Sequence, residues 1–359
     1  SNIRDFLPEL DFPKVSRQAV SKARQNIKPA LFKELLDITV RTYYLFTQIF
    51  NLWNGYHLFA IDGTRVHMPY SESVETDFGF QGDGRYDRKH FMGLGSVLYD
   101  ISQDYVVDAT LEYVHSSERD LARKHISKLK SLDLIENSLI IFDRGYFSTD
   151  MFNFLVDAGC SCLMRIKKST TSLTGSEEDD IVLDSVKYHT NIRVVQVELS
   201  TGEIEYLVTN ILDPNITPEM LKKLYHKRWK IESKYYELKE HWELEQFNGA
   251  TSRSIEQEFF ITLTKSNFCS IIKNEADRRI DLQSTGKETK KYQSTRSHLI
   301  GRLAVLFPMY LTGQAVNTTL EDLVMEGMQN KSLIQTGRHK KRKMPKEHKT
   351  HSKNRKTTT

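Results

Sequence analysis

The chain has 359 residues, 39% hydrophobic and 27% charged, which is enough apolar material for a packed core and excludes wholesale disorder. At roughly 150 residues per domain this length holds about two domains, or one elaborated one. No apolar run approaches the ~18 residues of a transmembrane helix, so no membrane partner is expected, and no charged-then-apolar leader opens the chain. The first residue is Ser1 rather than Met, as expected of a processed or truncated N-terminus. Cys160, Cys162 and Cys269 are too few and too poorly spaced for a disulfide framework or a zinc site and read as buried, reduced thiols of a cytosolic protein.

The net charge of +4 conceals an asymmetry. Residues 331–359 carry eleven Lys/Arg against one acid, Glu347, so the remainder holds 40 basic and 46 acidic residues. This segment, with three His and almost nothing apolar, reads as a disordered basic tail. It is either a solvated end or an arm on nucleic acid, where counterion release favours such arms.

In chain order, 16–53 reads as helical, with Ser16 as a cap and a break at Pro29. Ser16–Arg24 suits either ordinary packing or a small DNA-binding element. His57–Asp62 is a short buried-type strand ending in an acid. Phe91–Tyr99 and Tyr105–Tyr113 form a hairpin across the polar turn Asp100–Asp104. Ser117–Leu132 is a helix, Ser138–Asp143 a second buried strand ending in an acid, Ser148–Ala158 a helix stopped by Gly159, and Cys160–Lys167 a strand. Residues 169–180 are a polar loop, followed by strands over Ile181–Val186, Ile192–Leu199 and Glu203–Asn210. One long helix is predicted from the cap Thr217 onward, with Pro218 at its first position. Helices then fill 254–282 and 296–328 around a polar break at 283–295. The order is that of a mixed α/β protein.

Asp62 and Asp143 each end a buried strand, where a carboxylate is rigidly held. Taken singly, each reads equally as a turn or cap residue. The segment from Tyr225 to Lys239 adds a third acid. At ~100° per residue, Tyr225, Arg228, Glu232 and Lys239 fall within about 60° of one another, over about 21 Å of helix. Glu232 alone could simply be the i,i+4 partner of Arg228. Two Asp and one Glu are hard oxygen ligands suited to Mg²⁺ or Mn²⁺. Two such ions serve phosphodiester chemistry, and cations on the helix margin suit phosphates.

Tyr225-x2-Arg228-x3-Glu232-x6-Lys239 matches in every spacing the Y-R-E-K signature of the DDE transposases of the insertion sequence four family, and the chain resembles that family. Asp62 in Ile-Asp-Gly-Thr and Asp143 in Asp-Arg-Gly-Tyr resemble its first and second acids; the stretch covered is about 56–249. The resemblance implies an RNase H-like catalytic core with an inserted β-rich subdomain, flanked by helical segments. The expected organisation is a helical N-terminal segment, 1–53, that contacts DNA; the first part of the core, 54–168; the β-rich insertion, 169–210; the rest of the core with the Glu-bearing helix, 211–282; a C-terminal helical segment, 283–330; and the basic tail, 331–359. It also implies Asp62, Asp143 and Glu232 as catalytic residues holding two Mg²⁺ or Mn²⁺ ions. Tyr225, Arg228 and Lys239 would contact DNA near the cleaved end, with Arg144, Arg165 and Trp229 as further DNA contacts. The implied activity is cut-and-paste transposition through a hairpin intermediate. The implied partners are terminal inverted repeats, target DNA and a second subunit in a synaptic homodimer, in a prokaryotic cytoplasm at the nucleoid.

Two other readings of the same residues are a transposase-derived DNA-binding protein without catalysis and a stand-alone metal-dependent nuclease. A dehalogenase-type phosphatase is excluded, because Ala60 stands where its nucleophilic Asp is required. Gly93-Leu94-Gly95-Ser96 lacks the rest of a nucleotide-binding loop. If the tail binds DNA, deleting 331–359 will weaken binding and flatten the dependence of log K on log salt; an unchanged slope in a titration would remove the tail from the interface.

Overall fold

The computed structural model describes residues 16–47, 50–83, 88–175, 178–184, 186–199, 202–284, 291–311 and 318–334. In chain order these form α1 (Arg17–Gln25), α2 (Pro29–Phe46), β1 (His57–His67), α3 (Glu72–Asp77), β2 (Phe80–Asp83), β3 (Arg88–Asp100), β4 (Tyr105–Glu112), α4 (Glu118–Ser131) and β5 (Ser138–Phe142). They continue with α5 (Thr149–Asp157), β6 (Ser161–Ile166), α6 (Thr171–Thr174), β7 (Asp180–Leu183), β8 (Ile192–Glu198), β9 (Ile204–Thr209), α7 (Pro218–His226) and α8 (Trp229–Glu240). The last elements are α9 (Ser252–Gln283), β10 (Tyr292–Ser294), α10 (Arg296–Leu311), α11 (Leu320–Gln329) and β11 (Lys331–Leu333). The fold is mixed α/β with a large central sheet.

Local chemistry sets the helix starts. Ser16, Ser117, Ser148, Thr217 and Thr251 each take extended backbone and accept a hydrogen bond from the amide three residues on. Pro218 occupies the first turn of α7. Gly159, with φ +76°, lets the chain leave α5 and turn into β6, a conformation that costs a Cβ-bearing residue.

The chain divides into two compact units, to both of which α2, β1, β3 and α8 contribute residues. The unit of residues 37–65 and 94–235 holds the sheet in the order β4-β3-β1-β5-β6-β9-β8-β7. Strands β1, β5 and β6 are parallel; Leu58–Ile61 and Leu139–Phe142 are buried, the near-continuous apolar run of strands covered on both faces. The hairpin β3–β4 carries the chain away and α4 brings it back to β5, as a parallel crossover requires. Helix α4 is fixed to the hairpin by a buried polar chain: His125 Nδ1 donates to Asp108 Oδ2 at 2.7 Å, and Nε2 pairs with Ser96 Oγ at 3.0 Å.

The other unit, residues 1–36, 66–93 and 236–359, is mainly helical. Gly327 of α11 lies so close to α9 that a Cβ would meet the Ala276 methyl at 3.2 Å. Arg24 of α1 bonds the Gln257 and Glu258 side chains of α9, and Arg296 grips both oxygens of Glu237 at 2.8 and 2.7 Å. Within it, β2 pairs antiparallel with the start of β3.

Several expectations are corrected. Strand β1 does not stop at Asp62 but runs on to His67, with half-exposed residues after the buried run, so Asp62 sits inside a strand rather than at a strand-to-loop junction. The loop 169–180 contains the short helix α6. The β-rich segment 169–210 continues the central sheet, because β9 pairs antiparallel with β6 over Leu163–Ile166. The long helix from 217 is broken: Lys227 and Arg228 bond to carbonyls three residues back, and so do Lys230 and Ile231, which separates α7 from α8. The helical stretch 296–328 is two helices, and 331–333 of the expected tail pairs with β10 as β11. The remainder of the tail, 335–359, and residues 1–15 of the N-terminal segment lie outside the described residues.

The buried Asp108–His125–Ser96 chain yields a stability prediction. His125→Leu leaves both partners unsatisfied in the core and is expected to cost about 2–4 kcal/mol, read as a lowered denaturant midpoint with unchanged slope. A midpoint at the wild-type value would mean that the chain contributes nothing.

Candidate active site

Asp62 and Asp143 meet through strand register. Strands β1 and β5 pair with a constant offset of 81 residues, from His57 opposite Ser138 to Ala60 opposite Ile141. Extended two residues, the same offset sets Asp62 opposite Asp143, on strands about 4.8 Å apart. Asp62 is pinned at the backbone: its carbonyl accepts the Tyr235 hydroxyl at 2.6 Å, and its Oδ1 accepts the Gly63 amide at 3.0 Å. Asp143, the first residue after β5, holds a single-turn 3₁₀ helix, its carbonyl accepting the Tyr146 amide. Its Oδ1 accepts the Tyr225 hydroxyl at 3.3 Å.

Arg228 lies in the turn just before α8, and Glu232 in the first turn of α8. The turn between α7 and α8 carries the Arg228 side chain inward until only 6% of it is exposed. Its guanidinium stands among all three acids: Nη2 is 3.0 Å from Glu232 Oε1 and 4.0 Å from Asp143 Oδ1, and Nη1 is 3.8 Å from Asp62 Oδ2. The expected i,i+4 pair is therefore present, but it is one arm of a three-carboxylate arrangement. The guanidinium also lies 5.1 Å from the exposed Trp229 ring, a cation–π contact, and Arg228 Nε is buried without a hydrogen-bond partner.

Burial dominates the electrostatics. It pushes Asp62 up to about 7; Arg228 and the Gly63 amide oppose this, while Glu118 and Asp143 reinforce it. Burial and the Asp143 charge push the Tyr225 hydroxyl up, so it remains a donor. Among the described residues, no group of three His, Cys, Asp or Glu already surrounds one point as metal ligands; the carboxylates converge on the guanidinium instead.

The remaining expected residues fall elsewhere. Lys239 belongs to the other compact unit, where its Nζ lies 3.0 Å from Glu245 Oε1. A single helical wheel through Tyr225–Lys239 does not hold, because the break at Lys227 resets the phase. Arg165 on β6 is paired with Glu205 on β9 at 2.7 Å, and its charge lowers the pKa of Tyr225. Arg144 is exposed in the turn after Asp143. A cleft of about 600 Å³, lined by Asn54, Glu136, Asn137, Asp213 and Asn215, lies where β1 and β5 begin, at the strand ends opposite Asp62 and Asp143.

Three neighbours of the acids escape sequence reasoning. Tyr235 holds the Asp62 backbone through its hydroxyl. Glu118 opens α4, its carboxyl against Gly63, and Tyr146 is buried near Glu118 and Asp62. Glu118 reads in sequence only as an acid in a first helical turn.

Residues 53–268 match the transposase DDE domain family, and the chain belongs to it. Among curated proteins it is 24% identical over 148 residues to "Putative transposase InsZ" of Escherichia coli (strain K12), which covers 41% of this chain and 48% of that one. The chain thus spans about half the length of that relative. Among solved structures it is similar to the piggyBac transposase synaptic complex with hairpin DNA, with TM-score 0.46 and 9% identity over 76% of this chain and 57% of that chain. It also aligns with the Mos1 transposase paired-end complex with left transposon end, with TM-score 0.22 and 13% identity over 44% of this chain and 56% of that chain.

The raised Asp62 sets a pH dependence. An acid that holds its proton more tightly folded than unfolded costs stability as pH rises from its ordinary value near 3.8 toward about 7. In chelator, Asp62→Asn is expected to flatten the thermal-midpoint profile over that window and to be the more stable protein at pH 7–8. The gain is bounded at about 4 kcal/mol. A profile parallel to wild type would place the Asp62 pKa near the ordinary range.

Proposed function

We propose that this protein is a DNA transposase that cleaves phosphodiester bonds at transposon ends and transfers the freed strands to target DNA, using Asp62, Asp143 and Glu232 with divalent metal ions. The observation that carries the reading is the convergence of all three carboxylates on one cationic group, within the stretch that matches the transposase DDE domain. The catalytic unit reads as an RNase H-like core: its first five strands are arranged β4-β3-β1-β5-β6, an antiparallel hairpin flanking three parallel strands, and the first two acids lie on the adjacent parallel pair.

The donor set suits Mg²⁺ or Mn²⁺. The oxygens are hard, the carboxylates already gather around a positive group, and one arginine does not balance them. Asp62, Asp143 and Glu232 would hold the ions. Bound there, they supply activation of the attacking water or 3′-hydroxyl and neutralisation of charge on the leaving oxygen. As a ligand, Asp62 would act as the carboxylate, its proton given up to solvent. The Tyr225 hydroxyl keeps its proton and orients Asp143. Arg228, turned from the acids, would meet a phosphate of the cleaved strand beside Trp229.

The substrate reading extends to terminal inverted repeats and target DNA, a hairpin intermediate, a synaptic homodimer and a nucleoid-associated protein in a prokaryotic cytoplasm. It rests on family membership. No helix among the described residues is long and apolar enough to cross a membrane.

Asp62→Asn, Asp143→Asn and Glu232→Gln are each expected to lower Mn²⁺-dependent cleavage of DNA carrying the element's ends by at least ~10³-fold, with DNA binding retained. The substrate is the DNA flanking the source gene, and the readout is cut and joined product on a gel. Cleavage without joining would favour a stand-alone nuclease. Binding without metal-dependent product in wild type would favour a DNA-binding factor. Cleavage that persists in Glu232→Gln would remove α8 from the chemistry.

A further inference from the structure

We propose that Lys234 is a positioning residue for DNA cleavage: paired with Asp104 in the β3–β4 turn, it fixes the rotation of α8 about its own axis, and so the place of the Glu232 carboxylate. The inference rests on the catalytic reading of that site. It begins with a lysine in an unusual place. The Lys234 side chain is 1% exposed, two residues after Glu232, and its Nζ lies 3.4 Å from Asp104 Oδ1. An ammonium is rarely buried so deeply without a partner, because its desolvation must be offset by an anion.

The anion comes from a turn shaped to present it. Asp100 Oδ1 accepts the amides of Ser102 and Gln103 at 2.9 and 3.0 Å, and its Oδ2 accepts the Tyr44 hydroxyl at 2.8 Å. Asp104 takes a left-handed backbone, φ +53°, which aspartate tolerates better than most residues. Its Oδ1 also accepts the Tyr99 hydroxyl at 2.5 Å. Lys230, one helical turn before Lys234, donates from Nζ to the Ile101 carbonyl of the same turn at 3.3 Å.

The placement of these lysines on α8 is what gives them leverage. At about 100° per residue, Lys230 and Lys234 stand about 160° from Glu232, with the buried Ile231 and Tyr235 between. One margin of the helix is tied to the hairpin turn and the other carries the acid, while Tyr235 is tied to the Asp62 carbonyl. Tethers on two sides of the axis oppose rotation, which a single tether would permit. Side-chain ends lie about 5–6 Å from the axis, so a rotation of about 10° moves the carboxylate by about 1 Å. A misplacement of about that size can cost ~10²-fold in rate. A buried ion pair also has an ordinary role in holding a fold together. That role predicts a lower thermal midpoint, with the kcat of the folded protein unchanged.

Steady-state cleavage of DNA carrying the element's ends, in Mn²⁺ and well below each protein's thermal midpoint, separates the roles. Lys234→Met keeps the side-chain length and removes the charge. It is expected to lower kcat about 10²-fold, with KM for the DNA within about twofold of wild type. Asp104→Asn alters a side chain that is 29% exposed and leaves α8 intact, and is expected to lower kcat in the same direction by less. The double variant should be no slower than Lys234→Met, because losses at two residues in contact do not add. Arg193→Met breaks another buried ion pair of the same unit, to Asp180 at 2.6 Å, and is expected to lower the thermal midpoint and leave kcat unchanged. Wild-type kcat in Lys234→Met would overturn the inference, as would wild-type kcat in Asp104→Asn should Lys234→Met fail to fold. So would a raised KM in place of a lowered kcat, losses that multiply in the double variant, or an equal loss of kcat in Arg193→Met. In all these cases cleavage by the wild type leaves the three-acid reading standing. Absence of Mn²⁺-dependent cleavage in the wild type would overturn both readings.

Discussion

Two parallel strands, β1 and β5, are buried side by side with an offset of 81 residues, and that offset equals the separation of Asp62 from Asp143. Buried parallel strands fix their register through apolar packing on both faces, since a one-residue slip would turn Leu58–Ile61 and Leu139–Phe142 toward the wrong sides. The two acids are therefore brought together by the core and not by their own attraction. They repel, and the repulsion is held against the packing of some eight fully buried side chains.

The third acid arrives by another route. A continuous helix from Thr217 would carry Arg228 and Glu232 along one face, at a spacing set by helical geometry alone. The turn of i→i−3 bonds at Lys227 and Arg228 lets α7 and α8 meet different demands. Tyr225, at the end of α7, reaches Asp143, while Tyr235 on α8 reaches the Asp62 carbonyl. Between these two hydroxyl contacts, Arg228 turns inward to the carboxylates. Desolvating a guanidinium is expensive, and three acids within 4.0 Å are what offset it.

Much of this was legible in the sequence. The apolar runs before Asp62 and Asp143, the caps Ser117, Ser148 and Thr217, and the Tyr225–Glu232 spacing are local features, and local features survive reading one residue at a time. What failed was non-local. The strand continues past Asp62 because Gly63–His67 has partners elsewhere in the fold, not because its own pattern is strongly β. The segment 180–209 joins the main sheet because β9 found β6, a pairing that no turn or periodicity announces. The helix break at Lys227 contains neither Gly nor Pro, so nothing in its composition marks it. Glu118 and Gly63 are 55 positions apart, and their contact exists only once α4 has been laid on the hairpin.

The same carboxylates favour two kinds of positive charge in this unit. A proton on Asp62 and the Arg228 guanidinium both draw on them, and linkage makes them compete. The proton is held because burial leaves Asp62 short of solvation, and the guanidinium because the turn at Lys227 aims it inward. On the proposed reading, a divalent ion held by these acids would compete with both, so its apparent affinity would rise with pH. The guanidinium, turned from the acids beside Trp229, would then be best matched by a phosphate, whose two oxygens suit its paired donors.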